Sequence, residues 1–238
     1  MKIISSAVFC DLPKNELQDK TAIMVDALRA SATIITAISN GCDRIVPTGE
    51  ANEAAAIKKI SEGNVPLCGE MAAKKVSGFD LGNSPLEYTQ DIVEERIIIF
   101  STTNGTVAIK TLAPAEDVLI GTFINAEAVA KKAISLERDV VMVGAGTKGK
   151  FSTDDMMAIG CIIDRMLKID DEIELDDMGR VALKLYHDAN HDILGALEGS
   201  THFEYLRQLK LYDDLEYCTR EDMFDVVPVY QEGVIIKG

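Results

Sequence analysis

The chain has 238 residues, of which 47% are hydrophobic and 26% are charged, a balance typical of a globular domain rather than of a disordered, collagenous or disulfide-scaffolded chain. Its 39 acidic and 24 basic residues give a net charge of −15, which opposes binding to duplex DNA and to anionic membranes. An anionic ligand would therefore need a site that concentrates cations locally.

The beginning of the chain and its cysteines indicate a cytoplasmic protein. The first apolar stretch is short and is interrupted by Ser5 and Ser6, whereas a secretory signal needs a longer apolar region. No stretch approaches about 18 consecutive apolar residues, so we expect no membrane-spanning segment. The scattered cysteines form no CxxC pair and are typical of free thiols in a reducing compartment: Cys10, Cys42, Cys68, Cys161 and Cys218.

Strand and helix patterns alternate through the first 170 residues. β-Branched runs predict strands at 2–9, 21–26, 43–48, 65–70, 96–101, 117–123 and 139–146. Helical patterns lie between several of them, at 31–41, 51–63, 107–113 and 126–137. Strands that are almost continuously apolar and alternate with helices predict an α/β fold with three layers, α/β/α, and a largely parallel, mixed sheet covered on both faces.

The rest of the chain has a different composition. An acidic stretch, IDDEIELDD, precedes helical patterns at 176–197 and 202–211, and the last residues predict two short strands around Glu232–Gly233. We therefore divide the chain into an α/β core that carries the site, residues 1–170, and a helical C-terminal portion, residues 171–238. The short strands are expected to return this portion to the same compact unit.

Ligands of open α/β sheets bind beyond the carboxyl ends of the strands, so the residues that follow each strand are the candidates. The first such segment has Asp26 at the end of a strand, followed by Arg29, Ser31 and Thr33 at the start of a helix. An acid, a guanidinium and hydroxyls in this position favour an anion or a metal-bound phosphate. The alternative is structural, with Ser31 as the helix cap and Asp26 paired to Arg29.

The second segment follows the strand that ends at Gly69–Glu70. A long loop rich in turn residues begins there, and such loops in compact domains are usually functional or mobile. The alternative is a plain surface loop in which Asn83 or Ser84 caps the next helix. The polar residues of the loop are Lys74, Lys75, Asp80, Asn83 and Ser84.

The third segment, STTNGT, joins a strand directly to a helix. Hydroxyls and backbone N–H groups concentrated around one point are typical of a cradle for an oxyanion. A capped turn between strand and helix is the alternative, but it needs only one such residue. The residues are Thr102, Thr103, Asn104, Gly105 and Thr106.

The fourth segment, VGAGTKGKFSTDD, contains the spacing G-x-G-x-x-G at Gly144, Gly146 and Gly149. A dinucleotide-binding loop requires the helix to open inside this motif, and here the helix is expected to start later, at Ser152 or Thr153. The dinucleotide interpretation therefore stays a weak alternative.

The helix after this loop carries two adjacent acids. Asp155 lies four residues before Ile159, on the apolar face, whereas Asp154 is expected on the side of Ala158. A carboxylate that points inward is costly unless it binds a cation, so Asp155 is a metal candidate. The alternative is a first-turn acid that stabilises the helix dipole.

A competing zinc motif lies in the C-terminal portion. His187 and His191 in HDANH have the i, i+4 spacing of zinc-binding helices, with Asp188 at the position of the metallopeptidase glutamate. No third ligand is evident, and two histidines on an exposed polar face of a helix are the alternative.

Taken together, Asp26 with LRAS, Gly69–Glu70, GFDLGNSPLE, TTNGT and GTKGKFSTDD resemble the 2-phosphosulfolactate phosphatase family. The motifs occur in the order of that family and span residues 24–160. The sequence departs from the family pattern at Met71, where an arginine often follows the Gly-Glu pair. Lys74 or Lys75 is the candidate replacement for that charge.

The resemblance implies a Mg²⁺-dependent acid phosphatase that hydrolyses 2-phospho-3-sulfolactate to 3-sulfolactate and phosphate, a step of coenzyme M biosynthesis. Alternatives are a phosphatase of another 2-phospho acid and a noncatalytic module that binds a nucleotide or phospho-ligand through Gly144–Gly149. The expected partner is a small anionic phosphorylated substrate, without nucleic acid or membrane, and a homodimer is the base-rate assembly.

Each candidate residue receives a role on this hypothesis. The acids that hold Mg²⁺ are Asp26, Glu70 and Asp155, and the catalytic residues are Asp26, Arg29, Asp80 and Asp155. The substrate-binding residues are Ser31, Thr33, Lys74, Asn83, Ser84, Thr102, Thr103, Asn104, Gly105, Thr106 and Lys148. Arg29, Lys74, Lys75, Lys148 and Lys150 would supply the local positive charge that an anionic substrate needs.

Overall fold

The computed structural model describes residues 1–61 and 63–238, and these form one mixed sheet with helices packed around it. The strands are β1 (Lys2–Ser6), β2 (Thr21–Val25), β3 (Arg44–Thr48), β4 (Leu67–Met71), β5 (Lys74–Lys75), β6 (Ile97–Ser101), β7 (Asp117–Ile120), β8 (Val140–Gly144), β9 (Glu174–Leu175), β10 (Pro228–Gln231) and β11 (Val234–Lys237). The helices are α1 (Ala30–Ser39), α2 (Ala51–Ile60), α3 (Gln90–Val93), α4 (Gly105–Thr111), α5 (Ala126–Ser135), α6 (Thr153–Ile169), α7 (Asp177–Asp188), α8 (Ile193–Leu197), α9 (Thr201–Gln208) and α10 (Tyr212–Cys218).

The strands follow the order β5-β4-β6-β3-β11-β10-β7-β2-β8-β1-β9 across the sheet. Parallel pairing joins β4, β6 and β3 into one block, and β7, β2, β8, β1 and β9 into a second. The hairpin β10–β11 lies between the blocks and pairs antiparallel with both. Three successive antiparallel pairings separate β3 from β7, so the two blocks run in opposite directions. The predicted α/β fold with a largely parallel, mixed sheet is confirmed.

The centre of the sheet is formed by apolar strands with no exposed face. All five residues of β2 and all five of β8 are buried, which is typical of parallel strands covered on both sides. Helix α1 directly follows β2 and is buried at every position except its last residue, Ser39. These local hydrophobic runs explain why the predicted strand at 21–26 and helix at 31–41 agree closely with the structure.

The C-terminal portion is built into the same core. Helix α7 packs on α6 so closely that a Cβ at Gly160 would lie 2.0 Å from the backbone oxygen of Ala182. The hairpin β10–β11 turns at Glu232 and Gly233, whose φ angles of 50° and 86° fit the tight turn that joins two strands. The short strands predicted around these two residues are thus confirmed, and they lie in the middle of the sheet.

One predicted helix is wrong. The pattern at 176–197 indicated a continuous helix, but α7 ends at Asp188 and α8 begins at Ile193. Asn190 and His191 between them have φ angles of 46° and 68°, in the left-handed region that a helix does not use. Asp192 then caps α8 by accepting a hydrogen bond from the backbone N–H of Gly195. In the described part of the chain, the helices are too short or too polar to cross a membrane.

Candidate active site

A cavity of about 450 Å³ lies beside the ends of four strands. The segments that follow β2, β4, β6 and β8 form most of its wall, as expected for an α/β sheet, and the start of α9 supplies the remainder. The predicted site residues found on this wall are Asp26, Arg29, Glu70, Asn83, Thr103, Asn104, Lys148 and Asp155.

The segment after β6 contacts the end of β2 at Asp26. Its Oδ1 accepts a hydrogen bond from the backbone N–H of Ala30 at 3.2 Å. Its Oδ2 faces Gly105, where an added Cβ would lie 2.6 Å from that oxygen and 2.7 Å from the Cβ of Ala30. Only glycine therefore allows the segment after β6 to approach the carboxylate at the end of β2 this closely.

Among Asp26, Glu70 and Asp155, Asp26 accepts the fewest hydrogen bonds from the protein. No hydrogen bond to its Oδ2 is found among the described residues, whereas both oxygens of Glu70 and both of Asp155 accept protein donors. Burial, together with the nearby Asp154 and Glu70 carboxylates, raises the pKa of Asp26 to about 6 against the attraction of His202.

Glu70 connects the segments after β4 and β6. Its Oε1 accepts from the backbone N–H of Thr103 at 2.8 Å, and its Oε2 accepts from the backbone N–H of Ala73 at 2.6 Å. The preceding Gly69 has φ of 131° and lies against Ser101, where any Cβ would overlap the backbone oxygen. The Gly-Glu pair thus fixes the relative position of two walls of the cavity.

Asp155 performs a similar task between β2 and β8. Its Oδ1 accepts from the backbone N–H of Ala27 at 2.9 Å and its Oδ2 from that of Gly146 at 2.8 Å. Burial, together with the charges of Asp154 and Asp26, raises the pKa of Asp155 well above its ordinary value. The inward orientation predicted for Asp155 agrees with the structure.

Asp154, predicted on the side of Ala158 and Arg165, is buried as well, at 1% exposed. Its carboxylate accepts a hydrogen bond from the Ser152 hydroxyl and pairs with Nδ1 of His202 at 3.2 Å. Burial would raise the pKa of Asp154, but His202 and Ser152 outweigh it and hold this pKa below its ordinary value. Helix α9 covers the first turn of α6, and that tertiary contact is invisible in the periodicity of α6 alone.

Cations face these carboxylates. Arg29, Lys148 and Lys150 line the cavity, and Arg29 is only 4% exposed. His202 adds to them: burial would lower its pKa, but Asp154 and Asp26 raise it above its ordinary value. Lys74 lies on β5, exposed and off the cavity wall. The local positive charge expected from the acidic composition is therefore present: three of the five predicted cations line the cavity, His202 joins them, and Lys74 and Lys75 do not.

Several predicted binding residues support the wall instead of lining it. Ser31 accepts from the backbone N–H of Asp26 at 2.9 Å, and Thr33 donates to the backbone oxygen of Asn83 at 3.1 Å. Thr102 and Thr106 exchange hydrogen bonds, each hydroxyl accepting from the other residue's backbone N–H at 3.1 Å. These hydroxyls are occupied inside the protein, and they hold the loops that carry Asp26 and Thr103.

The structure places Asp80 outside the cavity. Its carboxylate accepts from the backbone N–H of Leu67 at 2.8 Å and forms an ion pair with Lys58 at 3.2 Å, with the side chain 52% exposed. Burial would raise the pKa of Asp80, but these partners outweigh it and lower that pKa. A half-exposed carboxylate outside the cavity, with a lowered pKa and an ion pair to Lys58, does not suit the predicted role of acid or base. Ser84 also lies off the wall and donates to Asp214 at 2.6 Å.

The C-terminal portion also contributes to the cavity wall, although its sequence did not predict this. Ser200, Thr201, His202, Tyr205 and Leu206, around the start of α9, line the cavity. The Ser200 hydroxyl and the amide oxygen of Asn83, both on residues of this wall, are buried without a hydrogen-bond partner among the described residues. No local signal distinguishes these residues, because only the docking of α9 brings them to the strand ends.

The competing motifs do not form the sites proposed for them. His191 lies beyond the end of α7, so the two histidines do not share a helix, and His187 pairs with Asp164 at 2.8 Å. Within residues 1–61 and 63–238, no group of three His, Cys, Asp or Glu side chains surrounds a metal-sized space. The Gly144–Gly149 loop forms a tight turn between Thr147 and Lys150, and α6 begins after it, at Thr153.

Carboxylates, the buried Arg29 and a cavity beside strand ends define the class of the molecule, an α/β protein with a candidate site for a small anion. Comparison with known proteins then gives its family. A family model described as 2-phosphosulpholactate phosphatase matches residues 8–233. The chain is similar to proteins named probable 2-phosphosulfolactate phosphatase from three clostridia. It is 42% identical over 225 residues to that of Clostridium kluyveri, covering 94% of this chain and 93% of the relative.

The other two relatives match to a similar extent. The chain is 43% identical over 226 residues to the protein of Clostridium tetani, covering 94% and 95% of the two chains, and 42% identical over 232 residues to that of Clostridium acetobutylicum, covering 95% and 96%. The chain therefore belongs to the 2-phosphosulpholactate phosphatase family, and the resemblance found in its motifs is confirmed.

Proposed function

We propose that this protein is a phosphoric monoester hydrolase that converts 2-phospho-3-sulfolactate to 3-sulfolactate and inorganic phosphate with Mg²⁺ as its cofactor. Membership of the family supports the reaction and the substrate. The observation that carries the site assignment is Asp26, a strand-end carboxylate with a free Oδ2 on a cavity wall that also holds Arg29 and Lys148.

The donor set of the cavity suits Mg²⁺. Mg²⁺ prefers oxygen ligands and is usually held by one or two carboxylates together with waters and substrate phosphate oxygens, so a cage of three protein ligands is not required. Asp26, Asp154, Asp155 and Glu70 are close enough to influence one another's ionisation. A divalent cation would relieve this repulsion. Asp26 would hold it through Oδ2, with Glu70 and Asp155 as anchors of its bound waters.

Bound Mg²⁺ would supply a positive charge on the phosphoryl oxygens and on the oxygen that leaves. Arg29 would contribute a second positive charge, because it lines the same cavity and is almost fully buried. Asn104 would orient the phosphoryl group by hydrogen bonds from its side-chain amide, whereas the Thr103 hydroxyl donates to Glu70 at 3.2 Å and would hold that carboxylate. Hydrolysis then forms a bond from a water oxygen to phosphorus, breaks the bond from phosphorus to the C2 oxygen, and returns a proton to that oxygen.

The remaining polar groups suit the acid groups of the substrate. 2-Phospho-3-sulfolactate carries a carboxylate and a sulfonate besides its phosphate, and three cationic side chains line the cavity: Arg29, Lys148 and Lys150. Ser200 and Asn83 also line the cavity, and the Ser200 hydroxyl has no protein partner among the described residues, so a small rotation would let it bond to these groups without losing a protein partner. A substrate with fewer anionic groups would leave part of this set unused.

The test is phosphate release by the purified full chain from 2-phospho-3-sulfolactate, 2-phospholactate and 2-phosphoglycolate, each with Mg²⁺ and with EDTA. We expect turnover that requires Mg²⁺ and is fastest with the sulfonate. Faster turnover of the other phospho acids would refute the proposed substrate but not the proposed reaction. No phosphate release from any of the three compounds would refute the assignment as a phosphatase.

Two lysine variants test whether Lys148 on the cavity wall contributes to substrate binding. Lys148→Gln should raise KM for 2-phospho-3-sulfolactate, because Lys148 lies on the cavity wall. Lys168→Gln is the matched control, since Lys168 is 64% exposed near the far end of α6 and pairs with Asp164. Equal KM values for the two variants would remove Lys148 from the site.

We further propose that the product enters coenzyme M synthesis in the cytoplasm and that the chain acts as a homodimer without nucleic acid. Sedimentation of the purified protein tests the dimer. Loss of coenzyme M when the gene is deleted, restored by added sulfolactate, tests the pathway.

A further inference from the structure

One buried acid outside the strand-end loops contacts two walls of the cavity. Asp214 lies in the first turn of α10, and its side chain is 4% exposed. Its Oδ2 accepts a hydrogen bond from Nη1 of Arg29, and its Oδ1 accepts from the Ser84 hydroxyl at 2.6 Å. A single carboxylate thus uses one oxygen for the segment after β2 and the other for the loop after β4.

The Arg29 guanidinium is held in a fixed plane by these contacts. Besides Nη1, its Nη2 donates to the backbone oxygen of Ala73 at 3.2 Å. A guanidinium has five N–H donors in a rigid fork, so two engaged donors fix its orientation and leave three for a ligand. Arg29 is 4% exposed, and a buried cation of this kind requires an anionic partner.

The second contact of Asp214 bears on Asn83. Ser84 directly follows Asn83, which lines the cavity and whose backbone oxygen accepts from Thr33. The hydrogen bond from Ser84 to Asp214 therefore fixes the chain next to a residue of the cavity wall. Asp214 itself is not among the residues that line the cavity.

We propose that Asp214 is a positioning residue for the reaction assigned above: it orients the Arg29 guanidinium toward the phosphoryl group and holds Asn83 in place for the rest of the substrate. Its negative charge matters as well as its shape. Arg29 shares the cavity with Asp26 and Glu70, and Asp214 keeps the guanidinium from pairing with these acids. This inference depends on the proposed function only for the identity of the substrate.

A double-mutant cycle on kcat/KM separates positioning through Arg29 from a general structural role. Asp214→Asn keeps the size of the side chain and should lower kcat/KM by about tenfold to a hundredfold, the range for one hydrogen bond to a charged group. In an Arg29→Ala background, Asp214→Asn should cost less than about threefold more. Asp213→Asn, the exposed neighbour, is the control and should stay near the wild-type value. Losses that simply multiply, or an unaffected Asp214→Asn, would overturn the proposal.

A spectroscopic measurement tests the same contact without any turnover. In the full chain labelled with ¹⁵N-arginine, the Nη protons of Arg29 should give slowly exchanging, nonaveraged resonances, assigned by their loss in Arg29→Lys. These resonances should average in Asp214→Asn and persist in Asp213→Asn. Averaged resonances in the wild-type chain sink the proposal even if Asp214→Asn fails to fold. If the wild type is no phosphatase but keeps these resonances, the proposed function fails and the positioning of Arg29 stands.

Discussion

The buried carboxylate of Asp26 should destabilise the metal-free protein. Burial, together with Asp154 and Glu70, raises the pKa of Asp26 from its ordinary value of 3.8 to about 6. The charged form is therefore less stable in the folded state than in the unfolded state. Asp26→Asn removes the charge and keeps an oxygen that can accept from the backbone N–H of Ala30. This variant should be more stable than the wild type in EDTA and inactive in Mg²⁺.

The magnitude follows from the two pKa values. The folded state binds more protons than the unfolded state between pH 3.8 and about 6, so the stability of the wild type falls as pH rises through this window and is then constant. At 1.36 kcal/mol per pKa unit, the difference is about 3 kcal/mol above pH 6, an upper bound because Asp155 shares the same interactions. Asp26→Asn should recover up to this amount at pH 8 and almost none at pH 4.

The assay is urea unfolding of the two proteins at pH 4 and pH 8, with EDTA and with Mg²⁺. Mg²⁺ should stabilise the wild type at pH 8, because a ligand that binds only the folded state shifts the equilibrium, and it should leave the variant unchanged. Asp171→Asn is the control, since Asp171 is exposed in the turn after α6 and its replacement should have little effect. A variant less stable than the wild type at pH 8 in EDTA would refute the reasoning.

Two glycines give further predictions of opposite kind. Gly105→Ala should reduce Mg²⁺ affinity and activity and cost about 1–3 kcal/mol of stability, because the new Cβ overlaps Asp26 and Ala30. Gly49→Ala is the control, since its Cβ meets only an ordinary contact at 3.5 Å. Urea unfolding and Mg²⁺ titration measure both variants, and an active Gly105→Ala contradicts the prediction. Gly160→Ala should destabilise the fold by at least a similar amount, because it forces α7 away from α6, and it should not change KM in whatever protein remains folded.

Local patterns predicted the elements that depend on local interactions. The runs that became β2 and β8 are buried along their whole length, so composition alone identifies them. The turn at Glu232–Gly233 is equally local. Its place was not predictable, because insertion of β10–β11 between β3 and β7 depends on pairing partners more than a hundred residues away, such as Val229 with Leu119.

The residues of the candidate site likewise divide into those predictable from local sequence and those that depend on tertiary contacts. The strand-end rule identified Asp26, Glu70, Asp155 and Arg29, since each directly follows or ends a predicted strand or begins the next helix. It did not separate wall residues from supporting ones, such as Thr33, because both kinds are polar and adjacent in sequence. His202 and Asp214 come from helices that dock from the C-terminal portion, and docking depends on packed surfaces that one sequence does not reveal.

Asp155 is where the sequence and the structure favour different roles, and one substitution separates them. The inward carboxylate was predicted to be a metal ligand. In the structure, its two oxygens hold the backbone N–H groups of Ala27 and Gly146, so it positions Asp26, the residue before Ala27. Asp155→Asn leaves one buried N–H facing an amide nitrogen. We expect kcat to fall about tenfold to a hundredfold, the range for one lost charged hydrogen bond.

The affinity for Mg²⁺ distinguishes the two roles. If Asp155 acts by positioning, Asp155→Asn should bind Mg²⁺ within about tenfold of the wild type, whereas Asp26→Asn should lose most binding because Oδ2 is the available oxygen. Calorimetric titration of both variants, with Asp171→Asn as the control, measures this difference. Equal loss of Mg²⁺ binding in the two variants would show that Asp155 is a direct ligand. Its hydrogen bonds to Ala27 and Gly146 would then serve to orient Asp155 itself toward the metal.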